Sequence, residues 1–91
     1  MAYKDFSTYV KEDGTTLILI SNVISDVRVN TTYWLDVPNC AKLEGLLKKE
    51  YEGSLDEMLE QKFGRVLDQS AMKYFFKEED ITYETETEIR D

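Results

Sequence analysis

The hydrophobic period of this chain changes twice, and the two changes decide what it can fold into. Residues 27–35, VRVNTTYWL, alternate: Val27, Val29, Thr31, Tyr33 and Leu35 share one parity, and Arg28, Asn30, Thr32 and Trp34 share the other. A period of two, built from β-branched and aromatic residues, predicts a strand with one drier and one wetter face. At Asp36-Val37-Pro38 the period lengthens. Asp36 is an N-cap candidate, and Pro38 falls in the first turn, where its missing N–H is harmless. Val37, Cys40, Leu43, Leu47 and Tyr51, with Leu46 alongside, then recur at helical spacing, and Gly53 supplies a stop. From Ile81 to Arg90 the period returns to two. Ile81, Tyr83, Thr85, Thr87 and Ile89 take one face; Thr82, Glu84, Glu86, Glu88 and Arg90 take the other.

The remaining elements follow from local signals. DFSTYV (5–10) and residues 15–21 flank Lys11-Glu12-Asp13-Gly14, and Asp-Gly between strand-like runs predicts a hairpin. Residues 22–26 read as a connection. Ser54-Leu55-Asp56-Glu57 has capping-box spacing and opens a helix striped by Leu55, Met58, Leu59 and Phe63. The apolar phase drifts after Phe63. A break or bend at Gly64 is therefore expected, with a further helix from about Val66 or Asp68 to Lys77; one helix across 55–76 is the alternative. The predicted class is α+β: a mainly antiparallel four-stranded sheet with helices on one face, in the order β-β-β-α-α(-α)-β.

Length suits one domain over 1–91, with 78–91 as an acidic link and strand. The single cysteine, Cys40, excludes an internal disulfide, and the sequence contains no histidine. No cofactor or metal is expected. MAYKDFSTYV lacks the basic start and apolar stretch of a secretory signal, and no apolar run approaches a membrane span, so a cytoplasmic protein is expected. Asn30-Thr31-Thr32 matches a glycosylation acceptor but reads as chance in that setting.

Charge is distributed unevenly. The net charge is −8, which argues against direct binding to nucleic acid or an anionic membrane. Residues 1–77 carry twelve acids and ten bases; residues 78–91 carry seven acids and one base. Glu84, Glu86 and Glu88 share a strand parity, so their side chains stand about 6.6 Å apart and face one way. Glu78, Glu79 and Asp80 would extend this field at one end and Asp91 at the other. One reading is an acidic interaction surface for a basic protein, including one that otherwise holds nucleic acid. The plain alternative is a solvated edge strand, whose charges block unwanted sheet pairing.

Catalytic readings are weaker. Asp56 and Glu60 stand four apart but occupy the polar side of a helix, with no phosphate loop or EF-hand spacing nearby. Cys40 falls on an apolar stripe and reads as a small buried hydrophobe. Ser7, Ser21, Ser25, Ser54 and Ser70 have no histidine to activate them. Aromatic contacts are the better candidates. Trp34 lies on a partly polar strand face, a setting of contact residues or of core cover. Tyr74, Phe75 and Phe76 are consecutive, so one helix face cannot bury all three. Tyr3 and Tyr9 are uncommitted. Leu17 and Leu19 oppose Ile18 and Ile20, so the second strand is apolar on both faces and calls for cover on both. A homodimer is one way to supply it.

In length, acidity and want of catalytic residues the chain resembles small acidic proteins encoded by phages and mobile elements. Many of those inhibit host nucleases or defence complexes, and some resemble DNA in charge. The resemblance rests on no motif and transfers no sites. It implies a non-enzymatic inhibitor or adaptor acting through an acidic surface, with nucleic-acid mimicry as the narrower form. The alternative is a structural homo-oligomer or assembly subunit whose acidity keeps it soluble.

Overall fold

A computed structural model describes residues 3–64 and 70–90. The expected α+β architecture is present. Strands β1 (Tyr3–Val10), β2 (Thr16–Ile24) and β3 (Val27–Leu35) are followed by helices α1 (Val37–Leu47), α2 (Leu55–Phe63) and α3 (Ser70–Glu78), then by strand β4 (Glu84–Arg90). All pairings are antiparallel, in the spatial order β1-β2-β3-β4. α2 ends at Phe63 with Gly64 as its C-cap, and α3 is a separate helix, in keeping with the drifting phase; the start expected near 66–68 lies outside the described residues.

The β1–β2 hairpin closes through residues 11–15. Gly14 N–H donates to Lys11 O at 2.9 Å, and Thr15 N–H donates to Asp13 Oδ1 at 3.0 Å. Backbone and side-chain hydrogen bonds from Thr15 hold the Asp13 carboxyl below its usual pKa. Gly14 has φ of +91°, a conformation that L side chains rarely adopt.

The second hairpin corrects the expected connection at 22–26. β2 continues to Ile24, paired with Val27, because Ser25 and Asp26 both take positive φ (49° and 69°). Two successive positive-φ residues match the right-handed twist of a tight hairpin. Ser-Asp carries this geometry without the glycine that usually announces it.

Asp36 caps α1 as expected: Asn39 N–H donates to its Oδ1 at 3.0 Å. The helix ends at Leu47 rather than near Tyr51. Glu50 and Tyr51 N–H groups both reach Leu47 O, which closes the chain in a turn ahead of Gly53 (φ +112°). Lys48, Lys49 and Glu50 are exposed and offer no apolar side chain for a further buried turn. Val37, assigned to the buried stripe, is 56% exposed, and Cys40 is half-buried. Val37 instead leans on the first hairpin, where a Cβ at Gly14 would stand 2.7 Å from its Cγ2. The capping box of Ser54 and Glu57 opens α2.

The fourth strand begins at Glu84, not Ile81. Asp80 takes φ of 60°, its N–H donates to Lys77 O at 3.2 Å, and Ile81 N–H donates to Phe76 O at 2.8 Å. These two bonds form a Schellman cap, with Ile81 folded back into the core. Glu78, Glu79 and Asp80 are therefore the end of a helix, not a free charged link.

The core lies between the helices and one sheet face. Phe6, Ile18, Ile20, Tyr33 and Leu35 meet Leu43, Leu47, Met58, Leu59, Met72 and Phe76 there. Tyr33 is fully buried. Its ring stands 5.9 Å from Phe76 and 5.2 Å from Tyr83, and Phe76 and Tyr83 are 5.1 Å apart. Lys62 closes the far edge, with its Nζ 4.9 Å from the centre of the Phe75 ring and 3.9 Å from Glu50.

Two outcomes are expected. Gly14→Ala should lower stability by about 1–2 kcal/mol or more in denaturant titration, because the new Cβ is both strained and opposed by Val37. Burial, with the neighbouring Tyr83, pushes the Tyr33 hydroxyl from 10.0 up to about 12. Unfolding between those pH values releases a proton, so stability falls as pH rises through that window. The loss should reach about 2–3 kcal/mol, and Tyr33→Phe should remove that part of the alkaline slope.

Candidate functional site

Strand register decides what shares the sheet face away from the helices. Residues directly opposed in an antiparallel pair project to the same side. Tyr9 opposes Leu17, Leu17 opposes Trp34, and Trp34 opposes Glu84. The next row is Ser7, Leu19, Thr32 and Glu86; the one after it is Asp5, Ser21, Asn30 and Glu88. Beyond these, Arg28 opposes Arg90. The buried core residues Phe6, Ile18, Ile20 and Tyr33 all have the other parity. The helices therefore cover one face and leave this one open.

The open face has a middle and two rims. β2 and β3 contribute Leu17, Leu19 and Trp34, each partly exposed, together with the small polar residues Ser21, Asn30 and Thr32. Asp5 on β1 forms one acidic rim; Glu84, Glu86 and Glu88 on β4 form the other. A hollow of about 330 Å³ lies over β2, bordered by Asp5 and Ser7 on one side and by Asn30 and Thr32 on the other, with Leu19 and Ser21 between. Trp34 lines two further hollows at the end of the sheet. One, of about 370 Å³, includes Thr15, Asp36 and Glu84; the other includes Lys11, Glu84 and Glu86.

β4 is an edge strand, and every one of its residues is exposed, on both faces. Thr85, Thr87 and Ile89 have the core parity, yet Ile89 is 66% exposed. The strand is held along its length by pairing with β3. Its root is fixed more firmly. Ile81 is buried, Tyr83 packs among the core rings, and Asn39 clamps Thr82 through two hydrogen bonds: Thr82 N–H to Asn39 Oδ1 at 3.0 Å and Asn39 Nδ2 to Thr82 Oγ1 at 2.9 Å. Glu88 is paired with Arg90, so the ladder carries its own counter-charge at one end.

The structure thus brings Trp34 and the three ladder glutamates onto one face. It does not bring the other candidates there. Glu78, Glu79 and Asp80 sit at the C-terminal end of α3, where the helix dipole disfavours negative charge. Tyr74, Phe75 and Phe76 lie on α3 and divide as one helix face requires: Phe76 is buried, Phe75 is half-buried, and Tyr74 is 65% exposed. Asp56 and Glu60 lie on α2, and Asp56 accepts a hydrogen bond from Ser54 Oγ within the helix cap. Asp91 and the Tyr3 side chain lie outside what is described. Among the described residues, no group of three or more His, Cys, Asp or Glu is placed to hold a metal ion, and no helix is long and apolar enough to cross a membrane.

Asp5, Ser7 and Ser21 were missed as members of a site. Parity alone assigns each to one side of its own strand; hairpin register is needed to bring the sides together. No protein-family model, curated protein or solved structure matches the chain.

Because the ladder is solvated and touches nothing in the core, Glu84→Gln/Glu86→Gln/Glu88→Gln should fold normally. Its melting midpoint should be unchanged or up to about 3 °C higher. Any gain should shrink as salt screens the wild-type repulsion, which thermal melts at low and high salt would check.

Proposed function

We propose that this chain is a non-catalytic protein-binding module, an inhibitor or adaptor that docks a basic partner on its open sheet face. The observation carrying the reading is the β3–β4 register, which sets Glu84, Glu86 and Glu88 beside Trp34, Thr32 and Asn30. A partly exposed tryptophan with apolar neighbours and a charged rim has the anatomy of an interface: a desolvated anchor gives affinity, and the rim charges give steering and register. Sequence composition supports the non-catalytic part, since no histidine is present to activate the hydroxyls.

Charge density supports the broader of two forms of this reading. Glutamates on alternate strand residues place one charge per about 6.6 Å, whereas duplex DNA carries one per about 1.7 Å of axis. A single row, partly neutralised by Arg90, is a sparse imitation of a phosphate backbone. A basic protein surface that complements this row is the better-supported partner, with a nucleic-acid groove as the narrower case.

Affinity capture with wild-type protein, the triple glutamine variant and Trp34→Ala tests the proposal. Both variants should weaken the captured complex at least about tenfold, or about 1.4 kcal/mol. The glutamine variant should act mainly on the association rate and flatten its salt dependence. Competition by nucleic acid for the same partner would favour the narrower case. Unchanged affinity and salt dependence in both variants would reduce the ladder to a solvated edge.

A further inference from the structure

We infer that the element received by the open face is a basic amphipathic α-helix, lying along the strands above β2 and β3. This rests on the proposed binding of a basic partner and adds the shape of what binds. Asp5 on β1 and Glu88 on β4 occupy the same cross-strand row, with Ser21 and Asn30 between them. Three strand spacings separate those carboxylate-bearing strands, about 14 Å. A helix with its side chains is about 10–12 Å across. The floor between the rims is low where it consists of Ser21, Asn30 and Thr32, and the hollow of about 330 Å³ lies there. Long lysine or arginine side chains on either flank of such a helix would reach the rims while their stems cover Leu17 and Leu19.

Longitudinal spacing agrees. Glu84 to Glu88 spans four strand residues, about 13 Å. Cations at positions i, i+4 and i+8 of a helix span about 12 Å. An extended peptide fits the face less well, because laid flat it would leave its backbone N–H and C=O groups without partners, whereas a helix satisfies most of them internally. A second copy of this chain is disfavoured by charge. Across the paired rows the face carries Asp5, Glu84, Glu86 and Glu88 against Arg28 and Arg90, and each copy brings a net −8.

Trp34 is the only tryptophan, so its emission reports on this face. The probe is a synthetic tryptophan-free helical peptide with lysines at i, i+4 and i+8 on one flank, further lysines on the opposite flank, and leucines on the face between them. The controls are a scrambled peptide of equal composition and an alternating Lys-Val peptide. The helical peptide should shift Trp34 emission to the blue, gain helical circular dichroism, and bind at least about tenfold tighter than either control. Both Asp5→Asn and the triple glutamine variant should weaken it. Equal binding of the scrambled peptide, tighter binding of the alternating peptide, or no binding of the helical one overturns the inference. Sensitivity to the glutamines without sensitivity to Asp5→Asn places the ligand on the β4 edge and also overturns it, while leaving a basic partner intact. A micromolar homodimer that protects Trp34 would assign the face to a second copy instead. Failure of the broader reading is separate: it appears as a captured partner indifferent to Trp34 and the glutamates.

Discussion

Three rings hold the layers of this protein together. Tyr33 comes from the sheet, Phe76 from the last helix, and Tyr83 from the segment that leads into β4; their centres lie 5.1–5.9 Å apart. Tilted and edge-on contacts of this kind add to the apolar area the rings bury. The arrangement joins parts far apart in sequence. It ties the three-stranded meander to the helical layer and fixes where the last strand departs. The Schellman cap at Asp80 aims the chain, and the Asn39–Thr82 clamp secures it against the start of α1. The acidic row stands where it does because of those three contacts, none of which involves a glutamate of the row.

A two-layer fold of this size has too few helices to cover both sides of its sheet. The consequences differ by strand. β1 and β4 put charged or hydroxyl side chains on the bare side, the usual answer to solvent. β2 and β3 put Leu17, Leu19 and Trp34 there. Partly exposed apolar residues in an uncovered middle, enclosed by carboxylates, are the feature on which the proposed docking rests. Acid alone would need only solvent, and leucine alone would suit self-association. Their combination on one face is what supports the proposed partner of opposite charge.

Much of this was legible in the residues. The period changes at Asp36 and near Ile81 carried the class and element order, and VRVNTTYWL matched β3 residue for residue. Legibility failed where backbone geometry lacked its usual residue. Ser25 and Asp26 turn a hairpin that Asn-Gly would have announced. Asp80 ends a helix in a conformation typically given to glycine, so Ile81 passed for a strand residue. The candidate face was half legible. Alternation gave the sides of each strand, including the glutamate row and the second apolar face of β2. Only register joins Asp5 to Glu88 across the sheet, and register depends on turn geometry and loop length.

The exposure of β4 on both faces has a consequence for how such a protein changes over generations. Its seven residues touch water rather than core, while the anchors Ile81 and Tyr83 lie just upstream. Substitutions along the strand can alter charge, size and sign with little penalty to folding, provided that pairing with β3 survives. Variation at Tyr33 or Phe76 has no such latitude. The chain therefore separates what must stay constant from what can drift, and a lineage could remake its open face without rebuilding the fold beneath it.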